Sequence, residues 1–326
     1  MTAQQNGPYR VMDRAARGGR AAAPAVAVAL LAALITGGCG APGDDAPEVV
    51  REQSRTEEVI PSLPESDERT LHAAQMELVA RCMEDAGFDF ERTSFDEIKA
   101  SDDRAVARAA GVSRRDEVEK DHSLAAKIGW GIDPGPAPEP EPVEDVQPPP
   151  GPDERARQQA LFGTRYTKVR TAQGSVLEYP TDGCQASADR RLYGDVGAWN
   201  VSTFHVTNLD SVVGSVVDRR SDVRTVTRAW RRCVKDATGE AVKDPDGAYA
   251  RALEWNADGE PDAKGREIAL ATAVYDCDDE HRYTPVVDAA WRTELRREKN
   301  APNGLIVRYL ELRSRGLREA RAVLDE

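Results

Sequence analysis

Metal-binding and nucleophilic constellations are the first thing this sequence lacks. Its four histidines, His72, His122, His205 and His281, stand singly, and no pair falls at the i, i+4 spacing with which a helix holds zinc. Gly214-Ser215 has none of the flanking glycines of a nucleophile elbow, and Gly129, Gly131 and Gly135 do not match a phosphate-cradling or dinucleotide loop. No catalytic residue and no cofactor is therefore nominated. Basic excess is missing too: the formal net charge is −13, and because the first 38 residues carry +3, the chain from Cys39 onward carries −16. A chain of that sign has no stripe to meet phosphates, so nucleic acid is not an expected partner, and an anionic membrane face would repel it. Aromatic side chains make up only 6% of the residues, which leaves few large groups to fill a core. Alanine, leucine, glutamate and arginine dominate instead, and these favour helices.

What is present is, first, a leader. The run Ala21 to Cys39, AAAPAVAVALLAALITGGC, is uncharged and follows Arg10, Arg14, Arg17 and Arg20, with Asp13 the one acid before it. Basic residues followed by an apolar stretch and a small-residue exit are the order of a secretory signal, and Pro24 and the abundant alanine suit processing better than packing in lipid. The exit Thr36-Gly37-Gly38-Cys39 resembles a bacterial lipobox, although Thr36 stands where leucine is preferred and Ile35 comes one place early. The resemblance implies that residues 1–38 are removed and that Cys39 carries lipid on the outer face of the cytoplasmic membrane. The alternative is cleavage after Cys39-Gly40-Ala41, which would secrete a soluble protein. Either Met1 or Met12 can serve as the start.

Beyond Cys39 four cysteines remain, Cys82, Cys184, Cys233 and Cys277, an even number in a chain bound for an oxidising compartment, so two disulfides are expected. Two of these cysteines sit in nearly identical segments, Arg81-Cys82-Met83-Glu84-Asp85-Ala86-Gly87 and Arg232-Cys233-Val234-Lys235-Asp236-Ala237-Thr238-Gly239. Each is followed by one further cysteine. A duplicated unit of two clipped helices accounts for the pattern and favours Cys82 with Cys184 and Cys233 with Cys277 among the three pairings. The segments Cys82-Met83 with Gly87-Phe88, Gly183-Cys184 with Ala188, Leu192, Tyr193 and Gly194, and Trp230 three residues before Cys233 together resemble exported actinobacterial proteins, often lipoproteins, of unassigned activity. The resemblance covers most of the mature chain. It implies a mostly helical exported protein and transfers no catalytic residue.

The expected architecture is a disulfide-stapled helical bundle with at most one small β-hairpin. Residues 39–66, polar and proline-spotted, read as a disordered stalk; 67–132 as an N-terminal helical unit; and 133–153, with nine prolines among its 21 residues, as a disordered spacer favouring polyproline II. Residues 154–220 supply a hairpin near Arg165 to Tyr179 and helices completing the first unit. Residues 221–326 form a C-terminal helical unit. Its first helix carries Val223, Val226, Trp230, Cys233 and Val234 on one stripe, and its last is expected to bury Ile306, Leu310, Leu317 and Leu324.

One metal motif is worth testing. Asn256, Asp258, Glu260, Asp262 and Glu267 stand at positions 1, 3, 5, 7 and 12 of a calcium-loop spacing. Against it, Pro261 takes the place of the turn-forming glycine and Lys264 occupies position 9, so the favoured role is a polar turn with Asp262 as N-cap of the next helix. The acids Asp276, Asp278, Asp279 and Glu280 around Cys277 read as a solvated helix face. The expectation is a non-catalytic envelope protein whose partner is another protein or a wall component and whose membrane contact is the lipid alone. The alternative is an extracytoplasmic hydrolase using paired carboxylates, for which no pair stands out among 57 acids.

Overall fold

The structure is a computed structural model that describes residues 10–11, 59–102, 113–133, 151–171, 174–302 and 304–326. Cys39, the apolar leader, the stalk up to residue 58 and the proline tract between 134 and 150 lie outside the described residues. In chain order the helices are α1 (Glu65–Asp85), α2 (described over residues 95–102), α3 (Arg115–Lys120), α4 (Ala125–Ile128), α5 (Pro152–Phe162), α6 (Gly183–Tyr193), α7 (Val196–Thr207) and α8 (Leu209–Val217). They continue as α9 (Ser221–Thr238), α10 (Pro245–Ala257), α11 (Ala263–His281), α12 (Tyr283–Lys299) and α13 (Leu305–Asp325). The strands are β1 (Arg10–Val11), β2 (Tyr166–Arg170) and β3 (Val176–Pro180). The mostly helical, disulfide-paired fold with a single hairpin, β2–β3, is the class the composition predicts. Residues Arg10 and Val11, β1, pair antiparallel along the other edge of β3. Among the described residues no helix is long and apolar enough to cross a membrane.

The chain divides into two compact units: residues 1–99, 148–212 and 295–326 form one, and residues 100–147 and 213–294 the other. The division differs from the expected break near residue 221 in two places. Residues 100–132 belong with the second unit, because Val118, Ala125, Trp130 and Ile132 are buried in a core shared with Trp230, Trp255 and Leu270. Residues 295–326 belong with the first, because α13 packs on α1, α6 and α7. The proline spacer also ends sooner than expected, since Pro152 and Asp153 open α5, where a proline at the first helical position gives up no needed N–H.

In the first unit, α1 buries Ala74, Val79, Ala80 and Met83. Ser94 and Glu97 cap α2 reciprocally: the Ser94 N–H donates to Glu97 at 2.7 Å and the Glu97 N–H to Ser94 Oγ at 3.2 Å. The hairpin places Lys168 opposite Glu178, and their side chains pair at 3.2 Å. Leu177 and Tyr179 of β3 pack with Ala186 and Val196. Three aromatic rings stack in series, Tyr193 on Trp199 at 3.6 Å between centroids and Trp199 on Tyr309 at 5.6 Å. Helix α13 meets this stack through Gly316, where a Cβ would intrude on the Tyr193 ring. That contact explains a glycine in a helix interior, where it otherwise costs about 1 kcal/mol relative to alanine. The buried stripe of α13 is Ile306, Tyr309, Leu312, Arg313, Gly316, Ala320 and Val323. Of the four residues expected to be buried there, Ile306 alone is, while Leu324 is exposed.

The second unit surrounds three fully buried tryptophans, Trp130, Trp230 and Trp255. The Trp230 indole N–H donates to the Val274 carbonyl and that of Trp130 to the Tyr275 hydroxyl, each at 3.2 Å. Helix α10, which begins at Pro245 with Asp244 accepting the Gly247 N–H at 2.7 Å, adds Ala248 and Ala252 to this core.

The cysteines are joined as Cys82–Cys184, with Cα atoms 5.5 Å apart, and Cys233–Cys277, at 5.8 Å, one bridge in each unit. Cys184 and Cys277 are buried in the cores that their helices form. Paired alanine replacement of either bridge should cost about 2–5 kcal/mol and lower the melting temperature accordingly. Non-reducing peptide mapping should return the two linked peptides; a Cys82–Cys233 peptide would refute the pairing.

Candidate functional site

The loop between α10 and α11 brings together only two of its five candidate calcium ligands. Glu267, in the first turns of α11, is fully buried. Its carboxylate accepts the Asn256 amide at 3.2 Å, the Lys264 ammonium at 3.1 and 3.3 Å, and the Ile132 N–H at 3.1 Å. Glu260 turns to Arg266, Asp258 is exposed, and Asp262 takes a left-handed conformation at φ 57° with its carboxylate against Gly265. Asp262 does precede α11 as expected, but its side chain makes no capping bond. Four acids of a calcium loop must share one ion, and here Glu260 and Glu267 are spent on separate partners while Asp258 and Asp262 do not join them. The Lys264 ammonium stands at Glu267 where a cation would sit. The segment Gly129-Trp130-Gly131-Ile132 is laid against this carboxylate, and at Gly129, with φ +64°, a Cβ would collide with Glu267. The site is an internal ion pair that fastens residues 129–132 to α11.

Among the described residues one group of potential metal ligands does cluster, Cys233, Glu280 and His281. Cys233 is bridged to Cys277, so its sulfur is no thiolate and the group has two ligands to offer. The neighbouring acids diverge around the helix, but the face is not solvated throughout, since Asp278 is buried. Asp278 accepts the Thr284 N–H at 2.6 Å where α11 gives way to α12, and Asp279 lies 3.9 Å from His122, which stacks on Tyr275.

The first unit holds the charges that periodicity does not reveal. On α6, Asp189 is buried, and burial alone pushes its carboxyl up to about 7. On α1, Glu68 is also raised to about 7, first by burial and then by the negative charge of Glu65. Glu65 itself is held below the usual carboxylate range by hydrogen bonds from Lys99, at 2.6 Å, and Arg69, at 2.7 Å. On α13, Arg313 is buried with its guanidinium 5.4 Å from the Tyr309 ring centre. One oxygen of Glu68 and one nitrogen of Arg313 are buried without a hydrogen-bond partner. Two carboxyls one helical turn apart, one ionised and one near half-protonated at neutral pH, are chemically able to divide the roles of base and acid. The signal for Arg313 was its spacing: it sits seven residues from both Ile306 and Ala320, inside the buried stripe. Two shallow surface depressions lie elsewhere, one around Cys82–Cys184 between Arg165 and Arg190, the other on α13 over Ser314.

Two predictions follow from these charges. For Asp189, the folded state keeps its proton to about pH 7 whereas the unfolded chain releases it near pH 4, so stability falls as pH rises through that window. Asp189→Asn should match the parent near pH 4 and exceed it at pH 8 by on the order of 2–4 kcal/mol, as read from denaturant unfolding at both pH values. Glu267→Ala should cost about 1–3 kcal/mol because it strands the buried Ile132 N–H, Glu267→Gln should cost less, and millimolar calcium should leave the parent melting temperature unchanged. Comparison with protein-family models, with curated proteins and with solved structures returns no match to this chain.

Proposed function

We propose that this chain is an exported envelope protein, tethered by lipid on Cys39 to the outer face of the cytoplasmic membrane, whose helical units bind another protein or a wall component without chemistry of their own. The observation that supports this reading is the pairing of every cysteine beyond Cys39. Disulfides of this kind persist outside the cytoplasm, and a basic leader with a small-residue exit to cysteine is the means of arriving there. The stalk and the proline tract between 134 and 150 would give the units reach above the membrane.

Cell fractionation tests the anchor. The parent protein should sediment with membranes and release a lipid-modified N-terminal peptide, and Cys39→Ser should move it to the medium. An unchanged distribution, with a mature N-terminus at Pro42, would overturn the lipoprotein reading. Pull-down from isolated envelope with the Cys39→Ser protein then identifies the partner.

A second reading, a hydrolase using paired carboxylates, is favoured by the contrast between Glu65, held ionised, and Glu68, titrating near neutrality. Under it, hydrolysis of a wall-derived glycan or peptide would be lost in Glu68→Gln while the melting temperature is kept or raised.

A further inference from the structure

We propose that the outer face of α13 pairs with the same face of a second copy of this chain, the two helices antiparallel and crossing at Ser314. Val307, Leu310, Glu311 and Ser314 stand at i, i+3, i+4 and i+7 and line one of the surface depressions, with Arg318 at its end. Four residues at that spacing are the hole that accepts a single side chain from a facing helix. Val307 and Leu324 are 39% and 46% exposed, two of the three large apolar side chains left exposed among the described residues. Leu310, Leu317 and Leu324 recur every seven residues beside them, the repeat that keeps a seam in register between two helices.

The charges select a second copy as the occupant. A two-fold axis at Ser314 sets Glu311 of each copy, which within its own helix lies 3.5 Å from Arg308, alongside the partner's Arg318 as well, giving the same opposite-charge pair twice, as a self-complementary interface requires. The same axis brings the partner's Leu317 level with Glu311, into the part of the depression between Leu310 and Ser314, and places a small side chain where the helices approach most closely. Along this face Arg308, Arg315 and Arg318 are interspersed with Glu311 and Asp325, and the neighbouring Arg321 is paired to Asp67 at 2.8 Å, so it lacks the single sign that an anionic lipid surface would call for. One helix face buries less than a standard interface of roughly 800 Å² per partner, so association in the micromolar range is expected.

The test uses the full chain carrying Cys39→Ser, in sedimentation velocity over roughly 1–100 μM. A concentration-dependent dimer is expected, weakened about tenfold or more by Glu311→Arg or by Arg318→Glu and restored when both are combined. Ser314→Cys should form a disulfide-linked dimer on mild oxidation, whereas Val307→Cys, displaced from the axis, should not. Circular dichroism of each variant verifies that the helices are retained, as replacement of exposed side chains allows. A protein that is monomeric throughout overturns the proposal, as does a dimer indifferent to both charge reversals. Binding of the monomer to anionic phospholipid vesicles through Arg318 would assign the face to lipid and equally overturn it.

Discussion

Closing cores from segments far apart in the chain is the constraint on which this structure depends. Cys82 and Cys184 are separated by 102 residues, and bringing such ends together costs entropy before any contact is gained. A sequence with 6% aromatics has few large contacts with which to offset that cost, and a covalent bridge removes it by confining the unfolded chain. The second unit meets the same difficulty by other means. Its bridge spans 44 residues and joins α9 to α11 within the segment 213–294, so it does nothing to hold residues 113–133. That segment is fastened by burial of Trp130, by its hydrogen bond to Tyr275, and by the Glu267 carboxylate accepting the Ile132 N–H. Both units are thus stapled covalently, and in the second a further segment, residues 113–133, is held by tryptophan burial and by the polar network around the buried Glu267. The network is the less forgiving, since removing one member leaves others stranded.

Helical class, the hairpin and the cysteine pairing were legible in the sequence because each rests on a local or countable signal. Alternation around Gly174 gives β2 and β3; the repeated Arg-Cys segments order the cysteines. What was not legible depended on which faces meet. In α13 the apolar residues spread over a wide arc, and the stripe with the most leucines is the outer one; the buried stripe includes Gly316, Ala320 and Arg313. Small residues score poorly as core, yet Gly316 is buried because a tyrosine ring lies upon it. Helix α10 was missed although Asp244-Pro245 is a proper start signal, since its buried alanines give a weak stripe. The assignment of residues 100–132 and 295–326 failed for a simpler reason. Proximity in sequence favours neighbours, and tertiary packing here does not respect it.

The site residues divide along the same line. Glu267 was named from a ligand spacing and does matter, but as the anchor of an ion pair. The spacing was real and its chemistry was decided by Lys264, whose ammonium is a cation already present. Asp189, Glu68 and Arg313 carried no motif. Their significance lies in desolvation, which depends on what a side chain is packed against and not on what precedes it. A carboxyl such as Asp189, buried with no basic side chain to offset it, opposes folding at neutral pH. A chain that retains such groups must recover the stability elsewhere, and the two bridges are the available source.

Under the proposed binding role, recognition would fall to helix exteriors. Such surfaces bear mixed charge and few exposed apolar groups, and a single face of this kind binds weakly by itself. Under the proposed reading the tether changes that arithmetic. Confinement to a membrane surface raises the effective concentration of copies relative to one another and to any envelope partner, so contacts too weak to persist in dilute solution become populated. A lipid at Cys39 and a modest self-complementary helix face would then be parts of one scheme: the anchor would supply concentration, and the face would need only to supply specificity.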